Sequence, residues 1–384
     1  MYELNNTERP YFGLDVIEPH WERVILAGDN YRPDSILYFD GSILKRQIIS
    51  TNQQYRELQF YEATQNREIL LPKIAKGKEQ KFNAATLAKR HAQGIYLSVD
   101  EHGSLMIGNM TSQRTFYHSL WEQPAQTGKI PSECIAEFIR HSPEHHFADI
   151  ERFKTQSRQH VKYKKGDYFC FKLNRTAFGF GRILVDIAKL QKSDDLSLTH
   201  YFLQLMGKPV LVQLFDFISF NPVVSLKTLN NQPTLPASLM MDNALFYGDY
   251  EIFAHDFIAD DVYDFPMSLS LENDETIFHW GLIELKMETA QFYQIISDEL
   301  QKLLKIQDFR QDSIGFSPAY AHFEILNHGI CEHHYLWQQD LRNPKWQDVK
   351  HEIFTAFGVN VHQNYAQNCQ NLGVRLPSEM NYGK

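Results

Sequence analysis

The chain has 384 residues, of which 43% are hydrophobic and 13% aromatic, and its formal net charge is −9. This composition is typical of a globular protein with a sizeable core and excludes a low-complexity chain. The start MYELNNTERPYFG has no basic leader before an apolar run, and the most apolar stretch, PVLVQLFDFISF, is shorter than the ~20 residues of a membrane span. We therefore expect a cytoplasmic protein without a membrane partner.

Negative charge is concentrated in the second half of the chain. Residues 1–160 carry 19 basic and 20 acidic residues, whereas residues 161–384 carry 19 basic and 27 acidic ones. Residues 228–285 contain no Lys or Arg and 11 acidic residues. Such a segment would repel phosphate backbones and attract a basic protein, so we expect no nucleic-acid partner. The alternative is an ordinary solvated acidic surface.

Residues 1–125 are predicted to form a β-rich N-terminal domain, because short alternating runs are separated by turn signals such as Asp40–Gly41. The runs are ERVILA, SILYFD, SILKRQIIS, REILLP, GIYLSV, SLMIGN and RTFYHSL. A helical connector is predicted over residues 126–160. Its two helices, SECIAEFIRH and EHHFADIERFKTQSRQ, are separated at Ser142–Pro143, and Ser132 is the expected N-cap of the first.

Residues 161–384 are predicted to form a second domain with a mixed antiparallel sheet and C-terminal helices. The candidate strands are DYFCFKL, FGFGRILVDIA, PVLVQLFDFISF, FYGDYEIFAHDF and TIFHWGLIEL. Apolar residues at helical spacing predict one helix over 288–304, and Gly358 is expected to end a second that starts near Trp346. Strands and segregated helices without a βαβ rhythm predict the α+β class for the whole chain.

The most regular stretch is GDYFCFKLNRTAFGFGRIL, residues 166–184. Its glycines do not form a dinucleotide fingerprint, because Leu184 occupies the third glycine position and the stretch continues with β-branched residues. Glycine inside a strand more often marks a bulge or makes room for a neighbouring aromatic ring. We therefore predict an architectural role for Gly179 and Gly181.

No catalytic or metal-binding motif is evident. The motif HSPEHH at 141–146 is interrupted by Pro143, and its histidines are expected to be exposed at helix ends. In CEHH at 331–334, neighbouring strand residues would face opposite ways. We predict neither a metal nor a cofactor. His255 and Asp256 could form an acid–base pair, which leaves a cytoplasmic enzyme as an alternative.

Residues 166–184 resemble the opening signature of the immunity protein 26 family. Members begin with a Gly-Asp pair, an apolar strand, a turn, and a glycine–aromatic–glycine–arginine strand. The corresponding positions are Gly166, Asp167, Phe169, Phe171, Gly179, Phe180, Gly181 and Arg182. GKPVLVQLFDF resembles the second core strand of the family, which extends the resemblance over about residues 161–285. RPYFGLDVIEPHWERV and TSQRTFYHSLWE resemble extensions of longer members.

The resemblance implies a non-catalytic bacterial protein that neutralises a cognate toxin effector domain by forming a stoichiometric complex. The toxin would be a polymorphic toxin delivered by contact-dependent or type VI secretion, and the acidic segment 228–285 favours a basic one. The residues predicted to bind it are Asp242, Tyr247, Asp249, Tyr250, Glu251, Asp256, Asp260, Asp261, Tyr263 and Asp264. Tyrosine suits an interface because its phenol can face both water and a partner, whereas Phe253 and Phe257 are expected in the core. A generic interaction module is the other alternative.

Overall fold

The structure is a computed structural model that describes residues 2–72, 78–121, 128–193, 196–198, 200–272, 274–309 and 338–379. The chain divides into two compact units. The first comprises Met1–Val161 and Tyr247–Asp249, and the second comprises Lys162–Phe246 and Tyr250–Lys384. Helices accompany antiparallel sheets in both, which confirms the predicted α+β class. None of the helices in the described ranges is long and apolar enough to cross a membrane.

The first unit is built on an antiparallel sheet of nine strands. They are β1 (Glu22–Leu26), β2 (Ser35–Asp40), β3 (Ile43–Ser50), β4 (Tyr55–Gln65), β5 (Ile69–Leu70), β6 (Gln80–Lys81), β7 (Gln93–Val99), β8 (Leu105–Asn109) and β9 (Arg114–His118). The main path is β1-β2-β3-β4-β7-β8-β9, while β5 pairs with β4 and β6 with β5. Each of the seven runs identified in the sequence contributes a strand.

β4 is a long strand that the sequence pattern does not predict. Its sequence, YRELQFYEATQ, interrupts the apolar alternation with Glu57, which is 0% exposed. Arg9 donates from Nε to one oxygen of Glu57 at 2.9 Å, and the Tyr55 hydroxyl donates to the other at 2.5 Å. A buried carboxylate is tolerated here because it is both paired and hydrogen-bonded.

Within the described ranges, the α-helices of the first unit are α1 (Ala84–Leu87), α2 (Pro131–Arg140) and α3 (His146–Lys154). The two helices predicted for the connector are thus present. The expected N-cap is wrong, because α2 begins at Pro131 and places Ser132 inside its first turn. Proline suits this position since its missing N–H would have no partner within the helix. Ile135 and Ile150 pack in one core cluster with residues of the sheet, including Leu97.

The second unit contains two antiparallel sheets. Their strands are β10 (Asp167–Lys172), β11 (Phe178–Asp186), β12 (Pro209–Ser219), β13 (Ser238–Met241), β14 (Glu251–His255), β15 (Met267–Glu272), β16 (Glu275–Trp280) and β17 (Ile283–Glu288). One sheet has the order β13-β12-β11-β10-β14 and the other β15-β16-β17. The predicted strand TIFHWGLIEL is therefore a hairpin of β16 and β17, with its turn at Gly281. Among the described residues, β13 and β14 are the two edges of the larger sheet.

The helices of the second unit are mostly short. The α-helices that the structure describes there are α4 (Ile187–Leu190), α5 (Leu226–Leu229), α6 (Asn243–Phe246), α7 (Thr289–Ile295), α8 (Asp298–Leu303), α9 (Gln347–Ala356) and α10 (Tyr365–Leu372). The single helix predicted over 288–304 is wrong: Ile296 has an extended backbone, and Ser297 caps α8 by accepting the N–H of Leu300. The predicted helix before Gly358 is confirmed as α9.

Candidate functional site

The Gly166–Asp167 pair holds the end of β14 beside β10. The N–H of Asp256 donates to the Gly166 carbonyl at 2.9 Å, and Asp167 Oδ1 lies 2.8 Å from His255 Nδ1. The other oxygen of Asp167 accepts the N–H of Lys164 at 2.8 Å. Gly166 has φ +87°, and a Cβ there would lie 2.2 Å from the Asp256 carbonyl oxygen. Only glycine fits this backbone conformation and this close approach.

Gly179 and Gly181 make room for buried aromatic rings on the neighbouring strand. Gly179 lies opposite Phe171 and Gly181 opposite Phe169. A Cβ would approach the Phe171 ring to 2.7 Å at Gly179, and the Phe169 ring to 2.5 Å at Gly181. The rings are 1% and 0% exposed, so they cannot swing aside. These contacts give the glycines an architectural role.

Arg182, the last signature residue, connects β11 to β12. Its Nε and Nη2 donate to Oε1 of Gln213 at 3.1 and 2.7 Å. Its guanidinium carbon lies 5.4 Å from the centre of the Phe215 ring. The preceding Phe180 packs against Phe253 of β14, with 5.9 Å between ring centres. The signature therefore connects to strands on both sides of the β10–β11 pair.

The ten residues predicted to bind a partner differ in their exposure. Three are exposed: Glu251, Asp256 and Asp261. Four are half-buried: Tyr247, Asp249, Asp260 and Asp264. Three are buried: Asp242, Tyr250 and Tyr263. A partner can reach the first group without any rearrangement of the protein. Toxin binding stays a prediction for all ten.

Asp242 and Tyr250 have packing roles inside the second unit. Oδ2 of Asp242 accepts a hydrogen bond from the Tyr163 hydroxyl at 2.9 Å. Burial, together with the nearby Asp242 carboxylate, raises the pKa of Tyr163 well above its ordinary value. The ring of Tyr250 lies 5.6 Å from that of Phe169 and 5.0 Å from that of Phe171. Both side chains help to build the unit around the signature strands.

Asp264 is neutralised by a cation from outside the acidic segment. Its carboxylate lies 2.9 Å from Nη1 of Arg342 and accepts the N–H of Ala237 at 3.1 Å. Arg342 also contacts Asp340 at 2.6 Å. Burial lowers the pKa of Arg342, but the carboxylates of Asp264 and Asp340 raise it by more. The pKa of Arg342 therefore lies above its ordinary value. The neighbouring Tyr263 is 3% exposed. Both residues of the predicted set therefore stabilise the second unit.

Tyr247 and Asp249 have partners within the first unit. The Tyr247 hydroxyl accepts a hydrogen bond from Nη2 of Arg158 at 2.9 Å, and the guanidinium carbon lies 4.7 Å from the ring centre. Oδ1 of Asp249 accepts the N–H of Thr115 at 3.0 Å. These contacts stabilise the first unit around Tyr247 and Asp249.

Phe257 is 76% exposed, so the expectation that it lies in the core is wrong. β14 ends at His255, and the alternation that would have buried Phe257 stops before reaching it. Phe253, inside the strand, is half-buried against an aromatic cluster of the sheet. Phe257 is thus an exposed apolar side chain that the sequence pattern did not predict.

His255 pairs with Asp167 and not with Asp256. The His255 side chain is 47% exposed and that of Asp167 is 8% exposed. Oδ1 of Asp256 instead accepts the N–H of Phe257 at 2.8 Å. The structure therefore presents an imidazole at the surface that is oriented by a buried carboxylate.

Of the two histidine-rich motifs, the structure describes HSPEHH at 141–146. His146 is 1% exposed, contrary to expectation, because its Nε2 lies 2.7 Å from the Tyr11 carbonyl and its ring packs against Phe138. His145 is exposed and lies 3.4 Å from Asp149. CEHH at 331–334 lies outside the described residues. Within the described ranges, no group of three or more His, Cys, Asp or Glu could hold a metal ion.

Comparison with protein families confirms the resemblance inferred from the signature. Residues 164–273 match the family model Immunity protein 26. This segment is similar to immunity protein 26. The comparisons with curated proteins and with solved structures found no match. The family match implies an immunity protein.

The immunity protein 26 match covers the larger sheet and β15 of the second unit. It includes the signature residues and all ten residues of the predicted binding set. It ends before β16, β17 and the C-terminal helices that complete the main core of this unit. The first unit also lies outside the match. The similarity to immunity protein 26 is therefore limited to residues 164–273.

A buried histidine cluster crosses the end of the immunity protein 26 match and was missed by sequence reasoning. The rings of His200 and His279 lie 6.1 Å apart, and His279 Nδ1 lies 3.7 Å from Glu284. The ring of Tyr201 lies 4.8 Å from that of His279. Burial lowers the pKa of both histidines to about 4, so both are neutral at pH 7. Their wide separation in the chain left no spacing that could be recognised.

Proposed function

We propose that this protein is a cytoplasmic bacterial immunity protein that binds and neutralises the basic toxin domain of a polymorphic toxin system. The match of residues 164–273 to Immunity protein 26 carries this proposal. The toxin would arrive from neighbouring cells by contact-dependent or type VI secretion. Exposed acids at Glu251, Asp256 and Asp261 favour a basic toxin over a nucleic acid.

Neutralisation by binding requires a long-lived complex. Immunity must outlast the residence of the toxin in the cell, which calls for a Kd on the order of nanomolar, or about −12 kcal/mol. Complementary charge raises the rate of capture, while buried apolar anchors slow release. The exposed acids supply the first property, and the exposed Phe257, which follows Asp256 in the chain, supplies an apolar side chain for the second.

The test is a titration of the purified toxin domain encoded by the neighbouring upstream gene. We expect toxin activity to fall linearly with added protein and to vanish at a fixed molar ratio. Active toxin should be recovered after the complex is denatured and the toxin refolded. Failure of the two proteins to co-purify, with no change in toxin activity, would contradict the proposal and leave a generic interaction module.

An enzyme is the second candidate, because His255 is half-exposed and oriented by the buried Asp167. An enzyme would protect at one molecule per hundred toxins, increasingly with time. His255→Gln would abolish such protection, whereas in a stoichiometric titration it would change the affinity and not the molar ratio at the endpoint. We expect the stoichiometric result.

A further inference from the structure

β14 is an open edge of the larger sheet. It pairs with β10 on one side, and among the described residues no strand pairs with its other side. An edge strand offers backbone N–H and C=O groups to another chain. Its sequence, EIFAH, has no Lys or Pro to discourage such pairing, although the register shifts once along β10, between Tyr168 and Phe169.

The opposite edge differs from β14. Ala237 directly precedes β13. Its N–H donates to Asp264, and its carbonyl accepts a hydrogen bond from Nη2 of Arg342 at 2.9 Å. Leu239 and Met240 within β13 are buried. The entry to that edge is therefore occupied by side chains of the same unit, which makes β14 the more accessible of the two.

The family signature fixes the open edge in place. Gly166 and Asp167 hold the strand end through the N–H of Asp256 and the ring of His255. A strand held at its end loses little conformational freedom when another strand pairs with it. The two residues that open the signature thus keep β14 ready for a partner.

The side chains around this edge combine negative charge with an exposed aromatic ring. Glu251 within β14 and Asp256 directly after it are exposed, and Phe257 is 76% exposed. Edge backbone, acids and ring together favour an extended segment that carries Lys or Arg.

We propose that the toxin docks on the outer edge of β14 by adding an extended, basic segment to the sheet, with Phe257 as its apolar anchor. This inference rests on the proposed function, because it takes the toxin as the partner. It adds the surface, the mode of binding and the chemistry of the docked segment.

The first experiment compares two exposed phenylalanines. Phe257→Ser should raise the Kd for the toxin domain from the neighbouring gene at least tenfold. Phe220→Ser, at a position 80% exposed, is the matched control and should change the Kd less than twofold. Both variants should fold, because neither ring is buried. Equal effects of the two changes, or none, would overturn the role of Phe257.

The second experiment measures amide hydrogen exchange in the free protein and in the complex. Amides of Glu251–His255 should gain protection, whereas those of Ser238–Met241 should not. Overlapping peptides of the toxin domain should reproduce this protection only when they carry Lys or Arg. A tight complex that leaves β14 unprotected would overturn the docking mode while the proposed function stands. If the toxin domain forms no complex, both are overturned.

Discussion

The interior of the second unit and its β14 edge use similar residue types for opposite purposes. In the interior, the carboxylate of Asp340 is paired with Arg342, and two neutral imidazoles lie in the core. At the edge, Glu251 is exposed and the imidazole of His255 is half-exposed. Burial, more than residue type, therefore separates residues that stabilise the fold from residues that can contact a partner.

This difference leads to two classes of expected result. Changes in the interior should lower the free energy of unfolding and leave the toxin affinity of each folded molecule unchanged. Changes at the edge should alter toxin binding and leave stability unchanged. A variant that loses both stability and toxin affinity would show that its position serves the fold and the interface together.

Acidification should have the largest effect on stability. The folded pKa of His200 and His279, about 4, lies below the unfolded value of 6.5, so stability is lost as pH falls from 6.5 towards 4. Lowering the pH from 7 to 5 should cost about 2 kcal/mol for each imidazole. The pKa of the nearby Glu284 is also lowered: burial raises it, but Ser197, the two histidines and Lys286 outweigh burial. Protonation of Glu284 at still lower pH acts in the same direction.

Urea unfolding at the two pH values measures this effect. His279→Gln should reduce the loss, while His102→Gln, at a side chain 59% exposed, should not. An unchanged loss in His279→Gln would contradict the assignment of the effect to the buried cluster.

Arg342→Met should lower the free energy of unfolding by about 3 kcal/mol, because it leaves the carboxylate of Asp340, which is 3% exposed, without its cation. Thermal or urea unfolding provides the measurement. Arg152→Met, at a side chain 73% exposed, should change stability by less than about 0.5 kcal/mol. Weaker toxin binding by the folded Arg342→Met protein would place this interior residue at the interface.

Gly181→Val should cost about 2 kcal/mol of stability, because its side chain would overlap the buried ring of Phe169. A double-mutant cycle with Phe169→Ala should show less than additive losses, since removing the ring removes the overlap. Toxin affinity per folded molecule should stay normal. A stable Gly181→Val protein without toxin binding would instead place this strand in the interface.

Reversal of exposed charges should have the smallest effect. Asp256→Lys combined with Asp261→Lys should slow toxin association about tenfold at low salt, and the loss should shrink as salt is added. Asp274→Lys combined with Glu275→Lys reverses two exposed acids of the same acidic segment and is the matched control. Stopped-flow association rates provide the measurement. Equal slowing by both pairs would indicate a general effect of net charge.

Local patterns were sufficient for most strands and for the signature. The alternation in DYFCFKL predicted β10, and the glycine–aromatic spacing indicated close packing in β11. These features can be predicted from the sequence because a strand places successive side chains on opposite faces, independently of the rest of the chain. β4 was not predicted, because its buried Glu57 interrupts the apolar alternation. The burial of Glu57 depends on its pairing with Arg9, a residue from a distant part of the chain.

The sequence by itself determined the α+β class, the signature strands and the excess of acidic residues over 228–285. Only the tertiary structure decided which of those acids face solvent, that Tyr250 is buried while Phe257 is exposed, and that His255 pairs with Asp167. The reason is physical: periodicity reports the two faces of one strand, but exposure depends on where that strand ends and what packs over it. Contacts between residues far apart in sequence carry no local pattern and emerge only when the chain is folded.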